Sequence, residues 1–196
     1  MPSYPPVLTV EMPQWLQEFL SGREAVYPSM EARMRLVLEL ARLNVENKTG
    51  GPFAAAIFTV EDHRLVAPGV NLVQSANCSI LHAEITAIAL AQKIAGSYDL
   101  GGQGLPALEL VCSSEPCAMC LGAACWSGVR RLVCGARDED VRSIGFDEGP
   151  KPSAWADELK ARGIEVISDI ERMEAVSGLL WYKENGGLIY NSRRGD

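Results

Sequence analysis

Two short segments carry the residue types from which a catalytic metal site is built: His82-Ala83-Glu84 and Pro116-Cys117-Ala118-Met119-Cys120. One nitrogen and two sulfur donors suit zinc, which in catalytic sites takes three protein ligands and keeps a fourth position for water. Cys117 and Cys120 stand three residues apart, neighbouring positions on one helical face. A helix N-terminus favours negative charge, so its dipole and a metal would both hold these cysteines as thiolates. Pro116 suits the start of such a helix, where no N–H is needed for pairing. Glu84 lies two residues beyond His82, about 200° around a helix, so the pair cannot act from one helical face. In the first turn, however, both side chains can reach a metal lying off the helix end. A carboxylate there can take the proton of a metal-activated water, whose pKa falls to about 7.

A Cys-x-x-Cys pair alone equally marks a closed structural zinc site or two core thiols. A closed site needs a fourth protein ligand. His63, in a charged turn, is a poor one, and Cys78, Cys112, Cys125 and Cys134 are the remaining sulfur candidates. A structural site has no use for Glu84, and that residue tips the reading towards catalysis. Cys78, four residues before His82, reads as lining a pocket; Cys112 and Cys134, on strands, read as core.

The elements that must position these residues follow from periodicity and punctuation. Five of the eleven prolines precede Ser29, which predicts an N-terminal arm over residues 1–28 with one short helix from Gln14 to Leu20. Residues 29–196 read as the catalytic domain. Ser29 is an N-cap for a helix from Met30 to about Lys48, whose Met34, Val37, Leu38, Ala41 and Val45 face a core. Phe53 to Val60 and Leu65 to Val73 predict a hairpin across Glu61-Asp62-His63-Arg64. Helices over His82 to Ile94 and Cys117 to Ser127 flank a buried strand, Leu108 to Ser113, and Val129 to Ala136 is the next strand. An acidic, glycine-bearing loop is expected from Arg137 to Pro152. Ser153 then caps a helix to Arg162, Ile164 to Ser168 is a last strand, and a closing helix spans Ile170 to Glu184. The sum is an α/β domain, three-layer α/β/α, with a mixed five-stranded sheet whose last two strands are parallel.

Bulk properties exclude several classes. With 47% hydrophobic and 22% charged residues the 196-residue chain is globular in composition. No apolar run approaches the roughly 18 residues that cross a bilayer. The N-terminus shows neither the basic flank nor the apolar core of a secretory signal, so the expected location is the cytoplasm, with reduced cysteines. A formal net charge of −7 opposes phosphate backbones, which disfavours nucleic acid as a partner.

With these residues in view, the sequence resembles the cytidine deaminase superfamily of zinc aminohydrolases, whose signature is H-x-E…P-C-x-x-C. The resemblance runs from about Met30 to Ser168. It is most similar to the guanine deaminase branch, which includes enzymes acting on guanine and the triazine ammeline. The segments that carry it are Gly51-Pro52-Phe53-Ala54-Ala55, His82-Ala83-Glu84, Ser114 to Ala123, and Gly145-Phe146-Asp147-Glu148. The zinc motif identifies the superfamily alone; the Gly-Phe-acid-acid segment points to the branch.

The resemblance implies zinc held by His82, Cys117 and Cys120, with Glu84 shuttling protons to a ring nitrogen and to the departing amine. It implies a homodimer that turns guanine into xanthine and ammonia. Asn71 matches an asparagine that binds the purine edge, though an Asn after a strand is equally a turn residue. Glu148 matches an acid that hydrogen-bonds guanine's amino and ring N–H groups, with Asp147 beside it as a further substrate contact. An ionised carboxylate accepts only, and those groups are adjacent donors. The bland alternative is a solvated acid in an acidic loop. The Ser114 main-chain carbonyl is a candidate acceptor for the leaving amine. Tyr190 is read as pinning the tail to the core rather than stacking on the base, and Trp126 as core or dimer-interface packing. Cytosine, a pyrimidine nucleotide, a nucleoside such as guanosine, or a non-catalytic zinc scaffold remain the alternatives; tRNA adenosine is opposed by the net charge.

Overall fold

The computed structural model describes residues 9–191. A short helix and a long one open it. α1 (Gln14–Leu20) precedes α2 (Met30–Glu46), where the Ser29 hydroxyl accepts the Ala32 N–H at 3.0 Å, a side-chain cap that satisfies one of the orphan donors of the first turn. β1 (Ala54–Thr59) and β2 (Leu65–Val70) form the expected antiparallel hairpin. β1 pairs on its other side with β3 (Leu108–Ser114), again antiparallel. β3 runs parallel to β4 (Arg131–Ala136), and β4 parallel to β5 (Glu165–Ile167). The sheet is therefore mixed and five-stranded, in the order β2-β1-β3-β4-β5. Pro68, which cannot donate to a ladder, sits on the edge strand β2, where proline is tolerated.

Helices supply the crossovers that parallel strands need. α3 (Ala83–Ala95) links β2 to β3 and α4 (Ala118–Ser127) links β3 to β4. α5 (Asp138–Ile144) and α6 (Trp155–Ala161) lie between β4 and β5, and α7 (Arg172–Glu184) follows. Alternation along β1 shows how the layers form. Ala54, Ala56 and Phe58 join a core with Leu16, Met34, Val37 and Leu40 of α1 and α2. Ala55 and Ile57 join the opposite core, with Ala83, Ala87 and Ile88 of α3 and Trp155 and Leu159 of α6. Both faces of the sheet are thus covered, as parallel strands require. The first eight residues of the expected N-terminal arm lie outside the described residues; the rest take part in this packing: Leu16 is buried, Trp15 and Phe19 pack against the same cluster, and the Trp15 indole N–H donates to Thr49 Oγ1 at 3.1 Å.

One charged group is fully enclosed. Glu109 on β3 pairs with Arg33 of α2 at 2.5 Å and with Arg131 of β4 at 3.0 Å. Arg33 also donates to the carbonyls of Tyr27 and Pro28, which ties the end of the arm to the sheet.

Three expectations are corrected. The stretch after Arg137 is not all loop, because α5 occupies its first seven residues. Asp138, Glu139 and Asp140 in its first turn suit a helix N-terminus, the Asp140 carboxylate accepts the Arg137 N–H at 2.8 Å, and Gly145 ends it at φ 113°. Ser153 does not cap α6; the helix begins later, after Ala154, with no side-chain cap, and its start is fixed by burial of Trp155. Trp126 does not pack in this chain's core: it is 87% exposed. Among the described residues no helix is long and apolar enough to cross a membrane.

Candidate active site

The site forms where two helix N-termini meet the C-terminal end of β3, the side of a parallel sheet on which ligands bind. His82 is the N-cap residue of α3 and Cys117 that of α4, both in extended conformation, so each side chain projects beyond its helix. Cys120 follows in the first turn of α4 and is fully buried. The Sγ of Cys117 lies 3.5 Å from His82 Nδ1, and the ligand atoms of His82, Cys117 and Cys120 all fall within 4.8 Å of one another. One imidazole and two thiols at that separation could hold a tetrahedral ion with one position facing the cavity. Among the described residues this is the single group of three or more such ligands. Cys112 and Cys134 are buried in the core as expected, and Cys78 packs against the α1–α2 cluster. None of them joins the ligand set.

The electrostatics fit a cation. Hydrogen bonding from the Cys120 thiol and from His82 holds Cys117 down to about 4. Cys120, which donates to Cys117 and is buried, is pushed far up. The two sulfurs thus share one proton, and a metal would take its place. Burial works against a charge on His82, yet its hydrogen bond to Cys117 and the Glu84 carboxylate raise its pKa. Glu84, buried in the first turn of α3, is raised by burial and by the Cys117 charge.

A cavity of about 330 Å³ opens over these groups, within the usual range for small-molecule sites. Glu84, His82, Cys117 and Ser114 line its floor. Aromatic rings wall one side: Phe53 and Phe146 meet edge to face at 5.0 Å, and Phe146 meets Tyr190 in the same way at 5.0 Å. Glu148 is buried in the same cavity and raised to about 8, first by burial and then by the charges of Cys117 and Glu84. Its carbonyl accepts the Ala118 N–H at 2.9 Å, which moors its loop to the N-terminus of α4. Asp147 lies at the rim with its side chain about half exposed, accepting the Gly149 N–H and facing Arg142 at 3.5 Å.

Asn71 stands apart from this group. It is buried at the end of β2 and is not a lining residue; its side-chain carbonyl accepts the Val73 N–H at 3.2 Å, the turn-forming role weighed above. Tyr190 does more than pin the tail. Its ring both packs on Phe146 and lines the cavity, with its hydroxyl lying over Gly51, where an added Cβ would come within 2.2 Å of it. Next to it, Asn191 accepts the Asp147 N–H and donates to the Gly145 carbonyl, both at 2.8 Å, clasping the tail to the acidic loop. Phe53, Phe146 and Met119 stand within the motifs that carry the resemblance and could have been nominated from position. Val73 and Asn191 gave no such signal.

Comparisons with known proteins agree with this geometry. A family model described as the cytidine and deoxycytidylate deaminase zinc-binding region matches residues 28–136. The guanine deaminase of Bacillus subtilis (strain 168) is 37% identical over 118 residues, 60% of this chain and 71% of its own. A solved guanine deaminase from Nitrosomonas europaea superposes with a TM-score of 0.88 at 46% identity, covering 93% of this chain and 100% of that one. A solved structure in complex with 2,6-diaminopurine superposes with a TM-score of 0.88 at 48% identity, covering 95% of this chain and 98% of that one. The chain belongs to the cytidine and deoxycytidylate deaminase zinc-binding family, and it is a zinc-dependent hydrolytic deaminase.

Proposed function

We propose that this deaminase acts on a free amino-purine base, converting guanine to xanthine and ammonia, with ammeline and related triazines as further substrates. The observation that carries the reading is a buried carboxylate, Glu148, in the same aromatic-walled cavity as His82, Cys117 and Glu84. A flat ring fits against the wall made by Phe53, Phe146 and Tyr190, and the adjacent N–H donors of guanine's amidine edge match the acceptor oxygens of an ionised Glu148, a form that a cation bound beside Cys117 would favour. The 2,6-diaminopurine in the superposed structure carries an amino group at the same ring position as guanine.

His82, Cys117 and Cys120 would hold the zinc, and zinc when bound lowers the pKa of water enough to supply a nucleophile near neutral pH. Glu84, buried beside the ligands with its pKa raised, takes the proton from the attacking water and delivers protons to the ring nitrogen and to the leaving amine. The main-chain carbonyl of Ser114 receives the amine's N–H, and Glu148 holds the base in orientation. Asp147 contacts substrate from the rim. Asn71, buried behind the cavity wall with its side-chain carbonyl accepting the Val73 N–H, would meet the purine edge only if its side-chain amide turned towards the cavity. The same reading makes the protein a cytoplasmic homodimer acting on a small molecule; its charge of −7 supports the exclusion of nucleic acid.

The test is ammonia release by the zinc-loaded protein on guanine, ammeline, guanosine, adenine and cytosine. Fast turnover of guanine is expected. Silence on guanine with turnover of another amine would discard the Glu148 assignment and keep the zinc chemistry. Glu84→Gln is expected to lose at least about 10²–10⁴-fold in kcat while retaining zinc stoichiometry. Near-full activity would remove Glu84 from the mechanism, and indifference to the substitution is the signature of a scaffold.

A further inference from the structure

Three residues after Glu148, Lys151 leaves the acidic loop and turns inwards; its side chain is only 6% exposed. An ammonium has three N–H donors and no acceptor. Here three oxygens surround it: Glu115 Oε2 at 3.2 Å, Asp138 Oδ1 at 3.0 Å and the carbonyl of Pro116 at 3.3 Å. The ring of Trp155 covers its remaining side, 4.9 Å from the nitrogen. Pro116 is the residue immediately before the ligand Cys117, and Glu115 precedes it. The same Glu115 oxygen also accepts the Asp138 N–H, and the Glu115 N–H donates to the Ala136 carbonyl, so this carboxylate is fixed from both sides.

Asp138 extends the network to Arg142, whose guanidinium lies 2.5 Å from its second oxygen and donates to the Gly149 carbonyl at 2.9 Å. Lys151, Glu115, Asp138 and Arg142 thus form a chain of alternating charge, enclosed at its Lys151 end and open at Arg142, which also faces Asp147; it joins the loop before Cys117, the start of α5 and the segment that carries Glu148. Lys151 is the member that touches both the carbonyl beside the metal ligand and the chain of the Glu148 loop. It does not line the cavity, so it has no route to substrate except through these neighbours.

We infer that Lys151 is a positioning residue: its ammonium fixes the Pro116–Cys117 ligand loop and the Glu148 loop in one register, and so sets both the affinity for zinc and the placement of substrate. A lost Lys151 leaves Glu115 and the Pro116 carbonyl without their shared donor, and the two loops are then joined at this point by the bond from Ala118 to the Glu148 carbonyl. The substrate half of the inference rests on the reading of Glu148 given above; the metal half does not.

The experiment compares wild type with Lys151→Met, Lys151→Arg and the double variant Glu115→Gln/Lys151→Met. Zinc affinity is read by competition with a chromophoric chelator, and the ligand geometry by the absorption spectrum of the cobalt(II)-substituted proteins. Outer partners of metal ligands are typically worth about 10–100-fold in affinity or activity. Lys151→Met is expected to lose zinc affinity by about that factor and to shift the cobalt bands, with a raised KM for guanine. Lys151→Arg, which keeps the charge, recovers part of each. The double variant also removes the Glu115 charge, so that only Asp138, still paired with Arg142, loses a partner; it folds more readily than the single variant yet still binds zinc less tightly than wild type. Wild-type affinity and an unshifted cobalt spectrum in a folded Lys151→Met protein, or in the double variant should the single one not fold, overturn the inference. A wild-type protein that is silent on guanine sinks the substrate reading, and the metal measurements still decide the role of Lys151.

Discussion

Glu148 shows how much one enclosed carboxyl can alter the pH response of the fold. In the metal-free protein its pKa rises from an ordinary 4.5 to about 8, so the folded state holds a proton that the unfolded chain has lost. This group's contribution to stability is therefore complete below about pH 4.5 and fades as pH climbs to about 8, by at most about 5 kcal/mol. Cys117 acts with the opposite sign. Its pKa falls from 9.0 to about 4, so its contribution is complete above pH 9 and is lost as pH falls towards 4. The two slopes partly cancel in wild type, and a comparison of variants separates them. Metal-free Glu148→Gln should gain stability relative to wild type as pH goes from 5 to 8, measured by urea denaturation at each pH. Parallel pH profiles would mean that the carboxyl is better solvated than its burial implies.

At the scale of elements, the enclosed Glu109 makes the sharpest prediction. Glu109→Ala strands Arg33 without its counter-charge between α2 and β3, and breaking such a buried pair costs about 3–5 kcal/mol. Equilibrium denaturation reads this directly, and a loss below about 1 kcal/mol would show that water reaches the guanidinium. This same pair marks a limit of sequence reading. Period-2 and period-3.6 patterns placed all five strands, the cap at Ser29 and the helices that begin at the ligands, because each is a local property of the chain. A glutamate amid the apolar residues of β3 meets its arginine 76 positions away only after folding. α5 was missed for another reason. Its acids and Gly145 are helix signals, but a short, mostly charged segment has the composition of a loop as well. The trio His82, Cys117 and Cys120 and the place of Glu84 in the first turn of α3 were legible because each motif is short and local in sequence. The aromatic wall was legible only in part: Phe53 and Phe146 stand in the motifs, but their meeting with Tyr190 from a third, distant segment follows only from folding.

For the whole molecule, the outer face of α4 is informative. Met119, Gly122 and Trp126 recur at helical spacing along one exposed stripe, and Trp126 is 87% accessible. A large exposed aromatic beside an unencumbered glycine suits close contact with a second copy, consistent with the proposed homodimer. Sedimentation should find a dimer for wild type and a shift towards monomer for Trp126→Glu; a monomeric wild type would remove α4 as an interface. Met119 also lines the cavity, so a partner seated on α4 would stand beside the mouth of the site.

The contact between Gly51 and Tyr190 has a consequence for descent as well as for structure. The tyrosine hydroxyl crowds the place where any side chain at position 51 would begin, so even alanine there would force the ring that lines the cavity to shift. The two positions are bound into a single inherited unit. A chain that keeps a tyrosine in this place is expected to keep glycine at 51, whereas one with its tail routed elsewhere would be free to vary there. Paired change at these sites across distant relatives would trace where in the family's history the tail came to rest over the site.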